Sequence, residues 1–171
     1  MDPVTFARGL IDIDSTTGRE GEAARWLVRT LHELGFSVTE QPVEGERLNV
    51  IAMANPASQP FVMFSTHFDC VPPFFPSRID GDRLCGRGAC DAKGILAAQV
   101  AAADRLKRAG ETRVGMLFVV GEERGSDGAK LANEAAAGAR FLVNGEPTES
   151  RLGTATRGIL RLKLHAEGRA A

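Results

Sequence analysis

Two stretches decide the fold, DAKGILAAQVAAADRLKR at residues 91–108 and VGMLFVV at residues 114–120. The first is Ala-rich and the second is an unbroken apolar run of strand length, so together they predict a helix leading into a buried strand. Working outward, Phe61 to Ser65 is a second apolar strand, bounded upstream by the turn-rich Asn55 to Pro60. Ser126 to Ala137 predicts a helix and Arg140 to Val143 another strand. The resulting β-α-β-α-β order implies parallel strands with covering helices.

Toward the amino terminus, Phe6, Leu10, Ile11 and Ile13 suggest a first helix, and Ala23, Trp26, Leu27, Thr30, Leu31 and Leu34 repeat at helical spacing until Gly35 ends a second. Phe36 to Thr39 and Asn49 to Met53 are short β-type runs, which makes the sheet mixed or partly parallel. Pro72, Pro73 and Pro76 force the chain after Asp69 into a loop. Near the end, Leu160, Leu162, Leu164 and Ala166 alternate with Arg161, Lys163 and His165, the period of a strand with one dry and one wet face. Such a strand needs sheet partners, and the sequence ends five residues later.

At 171 residues and 43% hydrophobic content, the chain suffices for one domain with a sizeable core. With 21 basic against 22 acidic residues, nothing argues for nucleic acid or an anionic membrane as a partner. No apolar run of about 18 residues appears, and Met1-Asp2-Pro3 does not open like a signal peptide. A cytoplasmic location is the default expectation. Cys70, Cys85 and Cys90 are odd in number and not spaced as paired CxxC ligands, so reduced thiols are expected.

The chemistry-bearing residues fall at strand ends and a helix start. His67 and Asp69 lie two apart in an extended segment and share a face, where the carboxylate can accept the second N–H of a metal-binding imidazole; a strand-end histidine beside a turn aspartate is the plainer account. Asp91 precedes the Ala-rich helix after a Gly-Arg-Gly turn, so it serves either as an N-cap or as a carboxylate able to bridge two cations. Arg87 and Lys93 read as structural or surface cations. Glu122 and Glu123 follow the strand Val114 to Val120 at its carboxyl end, where open α/β sheets form ligand crevices. One of the pair can bind metal while the other moves protons, and a solvated acidic loop is the alternative. Glu146 repeats the geometry after the next strand. Oxygen-rich ligation with one histidine suits zinc, manganese or cobalt, and a bridging carboxylate suggests two metals about 3.5–4 Å apart.

The successive motifs Ser65-Thr66-His67-Phe68-Asp69, Gly86 to Gly94, Gly121 to Gly125 and Gly145 to Thr148 resemble the zinc-dependent acetylornithine deacetylase and succinyl-diaminopimelate desuccinylase family, which also includes carboxypeptidases, dipeptidases and aminoacylases. Val71-Pro72-Pro73, followed by Gly88 to Gly94, looks closest to the deacetylase branch. The resemblance implies a three-layer, zinc-exopeptidase-like α/β catalytic domain with a mixed, largely parallel sheet. By the same resemblance His67 and Glu146 would hold one metal, Glu123 the other and Asp91 both. Glu122 would be the general base and Asp69 would orient His67. The implied cofactors are two divalent ions, zinc first, with cobalt or manganese also suited. The implied reaction is amide hydrolysis on an N-acyl amino acid, with a short peptide as the alternative substrate.

Family members add a metal-binding histidine from the carboxyl-terminal half of the catalytic domain, and a lid domain that dimerises and supplies another active-site histidine. Neither is found here, since His165 lies in the alternating strand and His32 on an early helix. The expectation is therefore residues 1–153 as the amino-terminal part of a catalytic domain and 154–171 as the first strand of a truncated lid. The second metal site would be incomplete, the isolated chain nearly inactive, and dimerisation a property of the longer form. A competing expectation is a non-catalytic protein that pairs with another chain through the strand Ile159 to Ala166.

Overall fold

The chain opens with two helices, α1 (Pro3–Ile11) and α2 (Gly21–Glu33). Asp2 caps α1 by accepting from Thr5 N at 2.8 Å, and Pro3 sits at its start, where no N–H is needed. There follow β1 (Ser37–Glu44), β2 (Arg47–Met53), β3 (Val62–His67), a hairpin of β4 (Arg78–Asp80) and β5 (Arg83–Cys85), α3 (Lys93–Arg108), β6 (Val114–Val119), a 3₁₀ turn at Glu122–Arg124, α4 (Asp127–Glu134) and β7 (Phe141–Asn144). This computed structural model describes residues 1–134, 138–155, 158 and 162–169.

The main sheet has the order β1-β2-β6-β3-β7. β2 pairs antiparallel with β1 and with β6, whereas β3 lies parallel to both β6 and β7, so β2 alone runs against the other four strands. The expected three-layer α/β architecture with a mixed, largely parallel sheet is thus what forms. Val114, Met116, Phe118 and Val120 of the central strand region pack with Leu96, Val100 and Ala103 of α3 and with Leu10, Leu27 and Leu31 of α1 and α2. The alternate residues Leu117 and Val119 line the other face with Ala129 and Ala132 of α4. A fully buried Leu or Phe of the larger core, such as Leu27 or Phe118, contributes roughly 1.5–3 kcal/mol.

Four local differences from the sequence reading have physical causes. β1 extends to Glu44 instead of stopping near Thr39, because antiparallel pairing with β2 supplies partners for its polar residues. The region after Asp69 contains the β4–β5 hairpin, which begins only after Pro76, the last of the prolines that keep the preceding stretch irregular. Asp91 does not cap α3: Ala92 occupies that position and no side chain caps the helix. Of the expected strand Ile159 to Ala166, residues 159–161 lie outside the described residues, while 162–169 carry no regular structure and leave Leu162 and Leu164 exposed. Alternation specifies two faces of a strand but not the neighbour whose hydrogen bonds would hold it. No described helix is long and apolar enough to cross a membrane.

Candidate metal centre

Parallel alignment brings the carboxyl ends of β3, β6 and β7 to one edge: His67 is in register with Val119, and Ser65 with Asn144. His67, the last residue of β3, is buried. Its Nδ1 lies 3.1 Å from the Asp69 main-chain oxygen and 3.3 Å from Asp69 Oδ1, leaving Nε2 to face outward, 2.9 Å from Asp91 Oδ1.

Asp69 has no exposed surface and is saturated with donors. Oδ1 accepts from Glu122 N at 3.0 Å, and Oδ2 from Glu123 N at 3.2 Å and Thr17 Oγ1 at 2.8 Å. Burial opposes its ionisation, but the bonds from His67, Thr17 and Glu122 outweigh that and hold its carboxyl below 3.8. A carboxylate occupied in this way is a fixed acceptor and not a proton carrier. Thr17 carries no mark in the sequence, since a Ser-Thr-Thr tract between two helices gives no signal of a contact 52 residues away.

At the end of β6, Gly121 turns the chain with φ of 71°, a conformation that glycine adopts without strain, and a Cβ there would lie 1.8 Å from Asp127 Oδ1. The turn delivers Glu122 and Glu123 over Asp69. At the end of β7, Gly145 N donates to Ser65 O at 2.7 Å and Thr66 Oγ1 donates to Gly145 O at 2.8 Å, which sets the chain direction entering Glu146. Glu122 Oε2 and Glu146 Oε2 each lie 3.9 Å from His67 Nε2. One ligand atom from each of His67, Asp91 and Glu123 falls within 4.8 Å of the others. All six residues singled out from the sequence therefore converge.

The electrostatics fit a cation. Burial raises the Glu123 carboxyl above 4.5 and the neighbouring Asp91 raises it further; burial likewise raises Glu146, with Glu122 and Asp91 adding to the effect. Burial would push the His67 imidazole down, but Asp69 at Nδ1, then Glu146 and Glu122, raise it to about 9. Without a metal the imidazolium is the positive charge in a ring of carboxylates. A divalent ion would serve that electrostatic need better, and one imidazole with several carboxylate oxygens is the donor set of zinc, cobalt or manganese. A cleft of about 270 Å³ opens beside His67, Glu122 and Glu146, and a smaller one of about 160 Å³ beside Asp91 and Glu123.

Two sequence expectations about cations and thiols are refined. Lys93 is buried and structural, donating to Leu10 O and Ile13 O, while Arg87 donates to Pro73 O at the surface. The three cysteines are free, and burial pushes the Cys70 thiol up, away from the thiolate that binds metal.

The sequence model of "Peptidase family M20/M25/M40" matches residues 63–165. Among curated proteins, a probable carboxypeptidase of Aspergillus clavatus is 37% identical across 98% of this chain and 41% of its own length. A probable carboxypeptidase of Aspergillus terreus is 38% identical across 98% of this chain and 43% of its own length. The chain thus spans about two fifths of the length of these relatives. Among solved structures, the M20 family metallo-carboxypeptidase Sso-CP2 of Sulfolobus solfataricus has a TM-score of 0.69 at 24% identity, covering 84% of this chain and 37% of that one. The YXEP protein of Bacillus subtilis, described as a dinuclear metal binding peptidase from the M20 family, has a TM-score of 0.62 at 18% identity, covering 83% of this chain and 41% of that one. At these identities the structural matches establish a shared fold.

Proposed function

The chain belongs to peptidase family M20/M25/M40, and from that premise we propose that it carries the metal-binding core of a metal-dependent peptidase of the carboxypeptidase or dipeptidase type. The observation that carries this reading is the convergence of His67, Asp91 and Glu123 within 4.8 Å, with Glu122 and Glu146 each 3.9 Å from His67 Nε2. The names of the relatives favour a carboxypeptidase over the N-acyl amino acid deacetylase to which Val71-Pro72-Pro73 points.

In this reading His67 and Glu146 would hold one divalent ion and Glu123 a second, with Asp91 contributing a carboxylate. Such ions supply charge stabilisation at a scissile carbonyl and water that ionises near neutral pH. Asp69 keeps the His67 proton on Nδ1, so that Nε2 offers its lone pair outward. Among the described residues Glu122 has no such fixed partner for its carboxylate. It takes a proton from the water that adds to the carbonyl carbon and returns it to the departing amine as the C–N bond breaks. The single imidazole of the cluster, and the greater length of the relatives, support tight binding of one ion and weak turnover by these 171 residues alone.

The test is to load the metal-free chain with zinc, cobalt or manganese, count bound ions, and compare hydrolysis of an N-blocked dipeptide with that of N-acetylornithine. Binding of at least one ion, with any turnover favouring the dipeptide, is expected. A chain that binds none of the three metals refutes the site, and preferential cleavage of N-acetylornithine restores the deacetylase.

A further inference from the structure

Asp91 enters the cluster from a turn before a helix and not from a strand end. Its side chain is about half exposed, at 49%, and its carboxylate meets only His67 Nε2 among the described residues. Beyond that one contact its direction is set by its backbone, and that backbone is tied down immediately afterwards. Lys93 N donates to Gly88 O at 2.8 Å, which closes the turn bearing Asp91. The Lys93 side chain then runs inward, 1% exposed, and donates from Nζ to Leu10 O at 3.0 Å and Ile13 O at 2.9 Å. Neither partner is an anion. A buried ammonium whose hydrogen bonds among the described residues go to main-chain oxygens is a costly way to cap the end of α1, where a surface lysine would do.

The place where Lys93 is anchored explains the arrangement. The segment directly after Ile13 also holds the His67 side of the site. Ser15 Oγ donates to Phe68 O at 2.6 Å, Cys70 N donates to Ser15 O at 3.0 Å, and Thr17 Oγ1 reaches Asp69. Residues 10–17 are therefore a common base: one end holds the loop of Asp91 and the other the end of β3. Gly88 permits the close approach, because with φ of 85° it leaves no Cβ where Cys70 Sγ would be 2.7 Å away and Lys93 Cδ 3.0 Å away.

We propose that Lys93 is a positioning residue which, through the carbonyls of Leu10 and Ile13, fixes Asp91 relative to His67 and so sets metal affinity and coordination geometry. This rests on the metal-binding reading of the cluster. It goes beyond that reading in assigning a site role to a cation that touches no ligand atom.

The probe is cobalt(II), whose visible absorption reports coordination geometry, titrated into the metal-free chain. Lys93→Met should weaken cobalt(II) binding about tenfold or more, the range typical of residues that orient ligands, and should shift or flatten the visible bands. The control is Lys107→Met, which removes an ammonium of the same chemistry, donating to Leu34 O at 3.0 Å and lying over the Phe36 ring away from the site. It should lower stability while leaving cobalt(II) affinity within about twofold and the spectrum unchanged. If Lys93→Met does not fold, Lys93→Gln, which keeps a shorter donor, is measured instead and should give a smaller loss with the same spectral change. A folded Lys93 variant with the affinity and spectrum of the parent overturns the proposal. Failure of the parent chain itself to bind cobalt(II) overturns the metal-binding reading instead.

Discussion

Asp69→Asn should unlatch the loop that carries Glu122 and Glu123. In the parent, Oδ1 accepts from Glu122 N and faces His67 Nδ1, while Oδ2 accepts from Glu123 N and Thr17 Oγ1. An asparagine presents one acceptor end and one donor end. With the NH₂ group at the Oδ2 position, the Thr17 hydroxyl can rotate to accept, but Glu123 N–H meets another donor. With NH₂ at Oδ1, Glu122 N–H does so, and His67 Nδ1 keeps the Asp69 main-chain oxygen as its acceptor but loses the carboxylate. Either orientation orphans one backbone N–H, at about 1–3 kcal/mol, and converts the surviving charged bonds to neutral ones, at about 1 kcal/mol more. Asp69 is fully buried, so solvent does not discount these terms. A loss of about 2–4 kcal/mol is expected in urea unfolding of the metal-free chain followed by far-ultraviolet circular dichroism. The decisive measurement repeats the substitution in a His67→Ala background. If Asp69 serves only to orient His67, Asp69→Asn costs nothing there, whereas a latch with three other donors still loses most of its stabilisation. A double variant as stable as His67→Ala alone refutes the latch.

The remaining predictions concern charge. His67 has a folded pKa of about 9 against an unfolded 6.5, so its stabilisation of the metal-free chain is complete below pH 6.5 and is lost as pH rises through 9; this amounts to at most about 3 kcal/mol, and a urea midpoint independent of pH across this window counts against it. Metal must displace that same proton, so zinc affinity should rise over the interval in which metal-free stability falls, with proton release measurable by calorimetry in buffers of different ionisation enthalpy. Zinc at a hundredfold excess over its dissociation constant should stabilise the chain by about 2.7 kcal/mol, reversibly with a chelator. Arg47→Met removes the cation that bonds fully buried Glu20 at 3.0 and 3.1 Å and Asp127 at 2.6 Å, and it should cost about 3–5 kcal/mol in the same urea assay without changing cobalt(II) affinity.

Much of this site is legible in the sequence because its ligands are tied to features that leave a periodic or compositional trace. The apolar runs Phe61 to Ser65 and Val114 to Val120 mark buried strands, and a parallel sheet necessarily gathers the residues just beyond such strands at one edge. His67, Glu122, Glu123 and Glu146 can be placed by that reasoning, and the motifs and their order supply the family. The supports leave no comparable trace. Thr17 and Lys93 act on residues 52 and 80 or more positions away, through contacts that depend on how α1 packs against α3. Asp91 resembles a cap because its position before a helix is where caps occur, and its true neighbour, His67, is 24 residues distant. The alternation of Leu160 to Ala166 shows the opposite case, a local pattern for which the described residues 162–169 provide no paired edge.

The backbone supports of the ligands are largely separate from the ligand atoms, and this bears on how metal binding and folding are coupled. Pairing of β3 holds His67, Asp69 holds the amides of Glu122 and Glu123, the bonds of Gly145 to Ser65 and Thr66 hold the approach to Glu146, and Lys93 holds the turn of Asp91. The carboxylates themselves are left facing one another, which is why burial and mutual repulsion raise Glu123 and Glu146. A cation therefore has little backbone to order when it binds, and its main effect is to relieve charge repulsion that the scaffold already withstands. This differs from small domains in which metal affinity is folding free energy. Chelation should accordingly lower the stability of this chain without unfolding it, and damage to the supports should weaken binding even where every ligand atom remains.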